Sequence, residues 1–421
     1  MKRAGLTYLG VVVACIAISI AVSSATVAGT PENDSNYGWV ATWGASPVAP
    51  VPPNPTNTGP FINSGFTDQT VRLIVHTSIG GNEVRIRLSN AFGTTSLAVG
   101  AAHIAVRSKE AMIVPESDRP LTFGGTVSIA IPPGALVVSD PVRLSVSPVS
   151  DLAVSIYLPG PTGQSTWHSD ATGTNYVSAT GDFTASSSFP VDRVAPSWFY
   201  LTDVEVSAPK DTKAIVAFGD SITDGFRSTK DANHRWPNFL AERLVARNGK
   251  LAVVNEGIGG NRILHDLAGP NGLARFDRDV LTQSGAGYVI VLLGINDIGQ
   301  SVTAHPDQAV TASEIIAGHM QMIARAHAQG LKIIGCTLPP FEGAHYFAAE
   351  GETKREAVNK FIRAGGAYDG VADFDAAIRD PGHPNQLLAL YDSGDHLHPN
   401  DAGYKAMADS IDLSLFAAKR R

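Results

Sequence analysis

The chain has 421 residues, 44% of them apolar and 17% charged, with a formal net charge of −7. That composition suits a folded protein with ample core and excludes a disordered or fibrous one. The mild acidity and the lack of any basic cluster exclude a nucleic-acid partner, because phosphate binding needs a concentrated basic face.

Taken in chain order, the N-terminus comes first. Met1-Lys2-Arg3 is basic, Tyr8 to Val22 is apolar, and small residues follow, with cleavage positions after Ala25 or Ala28. This is the three-part form of a secretory signal over residues 1–28, and it predicts an extracellular or periplasmic protein. The apolar run is shorter than the roughly 20 residues a membrane span needs, so no stable span is expected after its removal. Val12-Val13-Ala14-Cys15 offers an alternative, lipoprotein anchoring at Cys15. Ile16 to Val22 continues the apolar run past the cysteine, which suits a plain signal better. Without Cys15, Cys336 stands alone in "KIIGCTLPP" and reads as a buried strand thiol.

Residues 38–205 read as an all-β domain, a sandwich or jelly roll. Val71, Leu73 and Val75 alternate, Gly80-Gly81-Asn82 turns the chain, and Val84, Ile86 and Leu88 alternate again. Alternation about a glycine turn predicts a hairpin. Pro-Gly breaks separate further short runs, and no helix pattern stands out. Trp39, Trp43, Trp167 and Trp198 could stack on sugar rings, but scattered aromatics are more often core.

"SAPKDTK", 207–213, reads as the linker to a second domain, 209–421. Here short apolar runs (Ala214–Phe218, Leu251–Val254, Tyr288–Leu293, Leu331–Cys336, Val371–Phe374) alternate with helical patterns. Trp236, Leu240 and Leu244 are one turn apart. Ile316, Met320, Ile323 and His327 share a helical face, Thr311 and Glu314 have capping-box spacing, and Gly330 suits the stop. Strand-helix alternation predicts a parallel sheet between helices, with ligands bound beyond the carboxyl ends of the strands.

Four motifs fall at ends of predicted strands or in loops: "FGDSITDG", "NEGIGGNR" and "LLGINDIG", each after an apolar run, and "DSGDHLHPNDAGY" near the C-terminus. Each has a bland reading alone. Gly-Asp-Ser can be a polar strand end, and "GIND" a helix cap. "GIGGNR" is not a dinucleotide fingerprint, since Arg262 stands where the third glycine belongs. Asp392, Asp395, His396 and His398 could ligate a metal, although no third histidine has ligand spacing. Asp220, Asp224 and Asp297 suit loop hydrogen bonds, and His265, His305, His319 and His345 ordinary helix or surface positions. Together the motifs hold what acyl transfer needs. Ser221 is a nucleophile, His398 a base, and Asp395 an acid to orient it. The Ser221 N–H, the Gly260 N–H and the Asn296 amide can donate to an oxyanion. Gly259 is the alternative to Gly260, and Arg262 either contacts substrate or pairs with Asp266.

These four pieces resemble, in order, the blocks of the GDSL or SGNH hydrolase family. The resemblance covers about residues 211–416. It implies a flavodoxin-like three-layer α/β domain with Ser221, Asp395 and His398 as catalytic triad and Ser221, Gly260 and Asn296 as oxyanion hole. It also implies no cofactor and no metal. The second block departs from the Ser-Gly-Asp-type run of many members, which leaves the choice between Gly259 and Gly260. The layout resembles secreted bacterial members with a β-rich domain before the hydrolase. It implies an esterase for short acyl or aryl esters, such as O-acetyl groups on polysaccharide. A lipase or lysophospholipase is the alternative. From other classes, the β-domain could be a carbohydrate- or surface-binding module on an inactive hydrolase, or the site a metal phosphoesterase. Oligomeric state is not legible.

Overall fold

Runs of four to six apolar residues, too short for helices and buried on both faces, assemble into a parallel sheet. Its spatial order is Leu251–Gly257, Lys213–Gly219, Ala286–Leu292, Lys332–Cys336, Gly370–Ala372, so the chain starts near one edge and crosses over itself once. All four pairings are parallel. The computed structural model describes Met1 and residues 36–50, 65–247 and 249–417. The signal expected over residues 1–28, with Cys15, lies outside them, apart from Met1. From Tyr37 onward the described residues form one compact unit.

Helices Trp236–Ala246 and Asp401–Ser410 pack together as one layer, and Ala312–Ala328 with Ala349–Ala364 as another. The sheet lies between them, the three-layer arrangement expected. Trp236, Leu240 and Leu244 are buried as their spacing predicts. The Thr311–Glu314 capping box forms. The buried face of that helix is Ile315, His319, Met322 and Ile323, however, and Met320 is exposed. A buried polar residue hid the phase: His319 accepts or donates at 2.6 Å with Tyr368 Oη inside the core. Cys336 is buried. Among the described residues no helix is long and apolar enough to cross a membrane.

The β-rich half is a sandwich of two antiparallel sheets. One orders Tyr37–Gly44, Leu201–Pro209, Gly81–Ser89 and Val142–Val146. The other orders Val191–Ala195, Asn175–Thr180, Gln69–His76, Asp151–Leu158 and Ala101–Lys109. The expected hairpin is therefore wrong in its pairing. Gln69–His76 and Gly81–Ser89 are each strands with Val71, Leu73, Val75, Val84, Ile86 and Leu88 buried, but they belong to opposite sheets. Alternation shows which face meets the core, not which strand lies alongside. Here the connection carries the chain across the core, and Ser78 N–H donates to the Thr42 carbonyl, not back to the preceding strand. Trp43, Trp167 and Trp198 are core; the partly exposed Trp39 ring lies under the Arg85 guanidinium.

The strand Leu201–Pro209 leads through Lys210–Thr212 directly into the parallel strand Lys213–Gly219. The sandwich core continues without a break into Ala214, Ala252 and Val254 of the first two parallel strands and Ile258 just beyond the second. The edge of the parallel sheet thus rests on the β-rich half.

Candidate active site

Ser221 sits where the parallel strand Lys213–Gly219 ends. Gly219 is required there, because a Cβ would come within 2.8 Å of the Leu292 carbonyl on the next strand. Asp220 then caps the single-turn helix Ser221–Asp224, its carboxylate accepting from Ile222 N–H at 3.0 Å. Burial pushes the Asp220 carboxyl up to about 7 against the pull of that bond, with the nearby Asp297 charge adding to the rise. Ser221 is thereby the first residue after a sharp exit.

His398 and Asp395 arrive from the loop before helix Asp401–Ser410. Ser221 Oγ and His398 Nε2 are 2.8 Å apart, and His398 Nδ1 is 2.8 Å from Asp395 Oδ2. The second oxygen, Oδ1, accepts from the backbone N–H groups of Leu397 (3.1 Å) and His398 (2.8 Å). This folds the short loop so that the carboxylate lies beneath the imidazole. Burial tends to raise the Asp395 carboxyl, but the His398 ring and the two backbone donors outweigh it and hold it well below the usual range. Asp395 stays ionised at any working pH, as an orienting acid must.

The second and third motifs close around Ser221. Ile258 O accepts from Asn261 N–H at 3.1 Å, closing a turn with Gly260 at φ +73°. Positive φ at the third turn position alone is the type II pattern, which favours glycine. Among the described residues the Ser221, Gly259 and Gly260 N–H groups find no protein acceptor. Asn296, buried in the first turn of helix Ile295–Thr303, donates from Nδ2 to Asn261 O at 3.1 Å, and its Oδ1 accepts from Tyr346 Oη at 3.3 Å. Those two bonds fix the amide orientation and leave its second N–H available. Asp297 ties the motifs together by accepting from Ile263 N–H (2.7 Å) and Leu264 N–H (3.0 Å), and burial pushes it up to about 6.

Arg262 is buried and donates from Nη2 to the Asp266 backbone carbonyl at 2.6 Å, so it meets Asp266 through the main chain and not the carboxylate. His396 pairs with Asp392 at 2.6 Å while His398 pairs with Asp395, which divides the four residues of the metal reading into two couples. Among the described residues no three such ligands converge. Three neighbours of the site carry no sequence signal. Phe226 stands edge-on to His398 with ring centroids 4.8 Å apart, exposed Arg227 reaches Asp395 Oδ2 at 3.3 Å, and Tyr346 orients Asn296. Only their proximity in the chain to a motif could have marked Phe226 and Arg227; Tyr346 lies 50 residues from Asn296.

Residues 217–406 match the model of the GDSL-like Lipase/Acylhydrolase family. No curated protein matches the chain. Among solved structures, it is similar to an acetylxylan esterase from Geobacillus stearothermophilus (22% identity, TM-score 0.38, 47% of this chain and 91% of that one). A GDSL-like lipase from Bacteroides thetaiotaomicron is similar at 20% identity and TM-score 0.36, over 50% of this chain and 90% of that one. Over residues 217–406, then, the chain carries a GDSL-like lipase/acylhydrolase domain and is a hydrolase of esters.

Proposed function

We propose that this protein is an exported serine esterase that cleaves short-chain carboxylic esters, acetyl or aryl, including O-acetyl groups on polysaccharide. The observation that carries the chemistry is the continuous contact from Ser221 Oγ through His398 to ionised Asp395 at the carboxyl edge of the sheet. Ser221 Oγ attacks the ester carbonyl carbon as His398 Nε2 takes its proton. The carbonyl oxygen becomes negative among the Ser221 N–H, the Gly260 N–H and the Asn296 amide. His398 then gives the proton to the leaving alcohol, and the acyl group rests on Ser221. Water repeats the cycle in reverse roles, with His398 accepting its proton and the carboxylic acid leaving.

Export rests on the signal-like N-terminus, and the polysaccharide substrate on that export together with the net negative charge. Wild type and Ser221→Ala should be assayed on acetyl, butyryl and long-chain aryl esters, then on acetylated xylan. Wild-type hydrolysis of acetyl esters and xylan, lost in Ser221→Ala, is expected. Preference for long chains would replace this substrate class with a lipid one. Equal activity of the two proteins would overturn the mechanism.

A further inference from the structure

We infer that Arg275 is the positioning residue of this esterase, and that the β-rich half forms part of the hydrolytic scaffold by holding it. The inference rests on the serine-esterase reading above. Arg275 lies in the short helix Gly272–Phe276, belongs to none of the four motifs, and is fully buried. Its guanidinium covers the Phe218 ring, 3.9 Å from the centroid, on the strand that delivers Ser221.

Its donors reach the segments that carry Ser221 and Gly260 directly, and the Asn296 segment through Asn261. Nη2 donates to Gly219 O at 2.8 Å, two residues before Ser221. Nη1 donates to Glu256 O at 2.8 Å, at the end of the strand that leads into Gly259-Gly260. Nε donates to Asn261 Oδ1 at 2.9 Å, on the residue that closes that turn. Asn261 O in turn receives the Asn296 amide. A rigid planar fork thus sets the relative placement of two loops, with Asn296 tied to the second, which a lysine's point charge cannot do.

The β-rich half secures the fork. Nη1 also approaches Ser46 Oγ at 3.0 Å and Asp279 Oδ2 at 3.1 Å, and Ser46 Oγ donates to Glu256 Oε2 at 2.6 Å. Ser46 follows the first strand of the sandwich, 229 residues before Arg275. A second tie lies at the other end of the Ser221 helix. His168, buried in the β-rich half, bridges Ser46 O (2.9 Å, Nδ1) and Asp224 Oδ1 (3.1 Å, Nε2). These contacts make the β-rich half a frame for the site, not an appended binding module alone.

The test uses full-length wild type, Arg275→Lys, Ser46→Ala and, as a control, Arg72→Lys. Arg72 is an equally buried hub in the sandwich strand Gln69–His76, bonded to Ser155 Oγ and the Ala111 and Thr184 carbonyls. With an aryl acetate, Arg275→Lys is expected to lose on the order of 10²-fold in kcat with little change in KM, as for a misplaced oxyanion site. Its affinity for a trifluoromethyl ketone, which mimics the tetrahedral intermediate, should fall in parallel. Arg72→Lys should lower the melting temperature and leave both readouts unchanged. Ser46→Ala should lose kcat to a smaller degree, and it decides the matter should Arg275→Lys fail to fold. Arg275→Lys or a folded Ser46→Ala with wild-type kcat and ketone affinity overturns the inference. If wild type itself lacks a Ser221-dependent esterase, the underlying reading fails instead.

Discussion

Asp395→Asn tests the proposed triad because it keeps the shape of the side chain and changes only its donors. In the native loop Oδ1 accepts from two backbone N–H groups and Oδ2 accepts from His398 Nδ1 and, more weakly, Arg227 Nε. An asparagine must put an NH₂ at one corner. At the Oδ1 corner it would face two backbone donors that cannot turn away. The less costly choice is the Oδ2 corner, where exposed Arg227 can swing to water and His398 can change tautomer. Nδ1 then accepts and Nε2 carries the proton, pointing at Ser221 Oγ 2.8 Å away. His398 becomes a donor to the nucleophile and can no longer take its proton. A wrong tautomer of this kind costs on the order of 10⁴ in kcat, about 5.5 kcal/mol of barrier. Steady-state hydrolysis of an aryl acetate measures it, with circular dichroism and melting to show that the fold is kept. Asp395→Asn within tenfold of wild type, correctly folded, would refute the argument that this carboxylate sets the tautomer.

Asn296→Ala should lower kcat on the order of 10²- to 10³-fold with KM little changed, the effect of removing one oxyanion donor; a rise in KM alone would assign Asn296 to ground-state binding. Gly259→Pro separates the two candidate glycines, since the second position of a type II turn accepts proline and a Cβ there meets nothing within 4 Å. Retained kcat supports Gly260 as donor, and a loss near 10²-fold transfers the role to Gly259. Asp220→Asn should raise stability at neutral pH. A buried carboxyl at about 7 instead of 3.8 stays protonated in the fold while the unfolded chain ionises, so stability falls as pH rises from about 4 to 7 and is flat above. The cost is bounded by about three units at about 1.4 kcal/mol each, on the order of 4 kcal/mol. Urea titrations should show wild type and Asp220→Asn converging near pH 4 and separating by pH 7; parallel curves would show that Asp220 is ionised in the fold.

The parallel sheet was legible because each strand is a short, continuous apolar run, and only burial on both faces rewards that pattern. The Ser221, His398 and Asp395 contacts were legible for a different reason: Ser221 follows a strand end, where such sheets bind their ligands, and the order of the four motifs linked it to Asp395 and His398, which lie in the loop before helix Asp401–Ser410. Strand partners in the sandwich were not legible. Val71, Leu73 and Val75 face the same core as Val84, Ile86 and Leu88, so the sequence pattern is the same for one sheet or two. Arg275 and His168 were hidden more deeply. Their partners are backbone carbonyls and side chains remote in the chain, and a carbonyl has no residue type to read. The same holds for Tyr346, which looks like any aromatic until its hydroxyl meets Asn296.

The central claim is that Ser221 is the nucleophile of an acyl-enzyme. Incubation with an aryl fluorophosphonate, digestion and mass spectrometry of the peptides test it directly. One phosphonyl group per chain, on the peptide containing Ser221 and in step with loss of esterase activity, is the predicted result. Ester hydrolysis that persists with Ser221 unlabelled, or labelling on another residue, would contradict it.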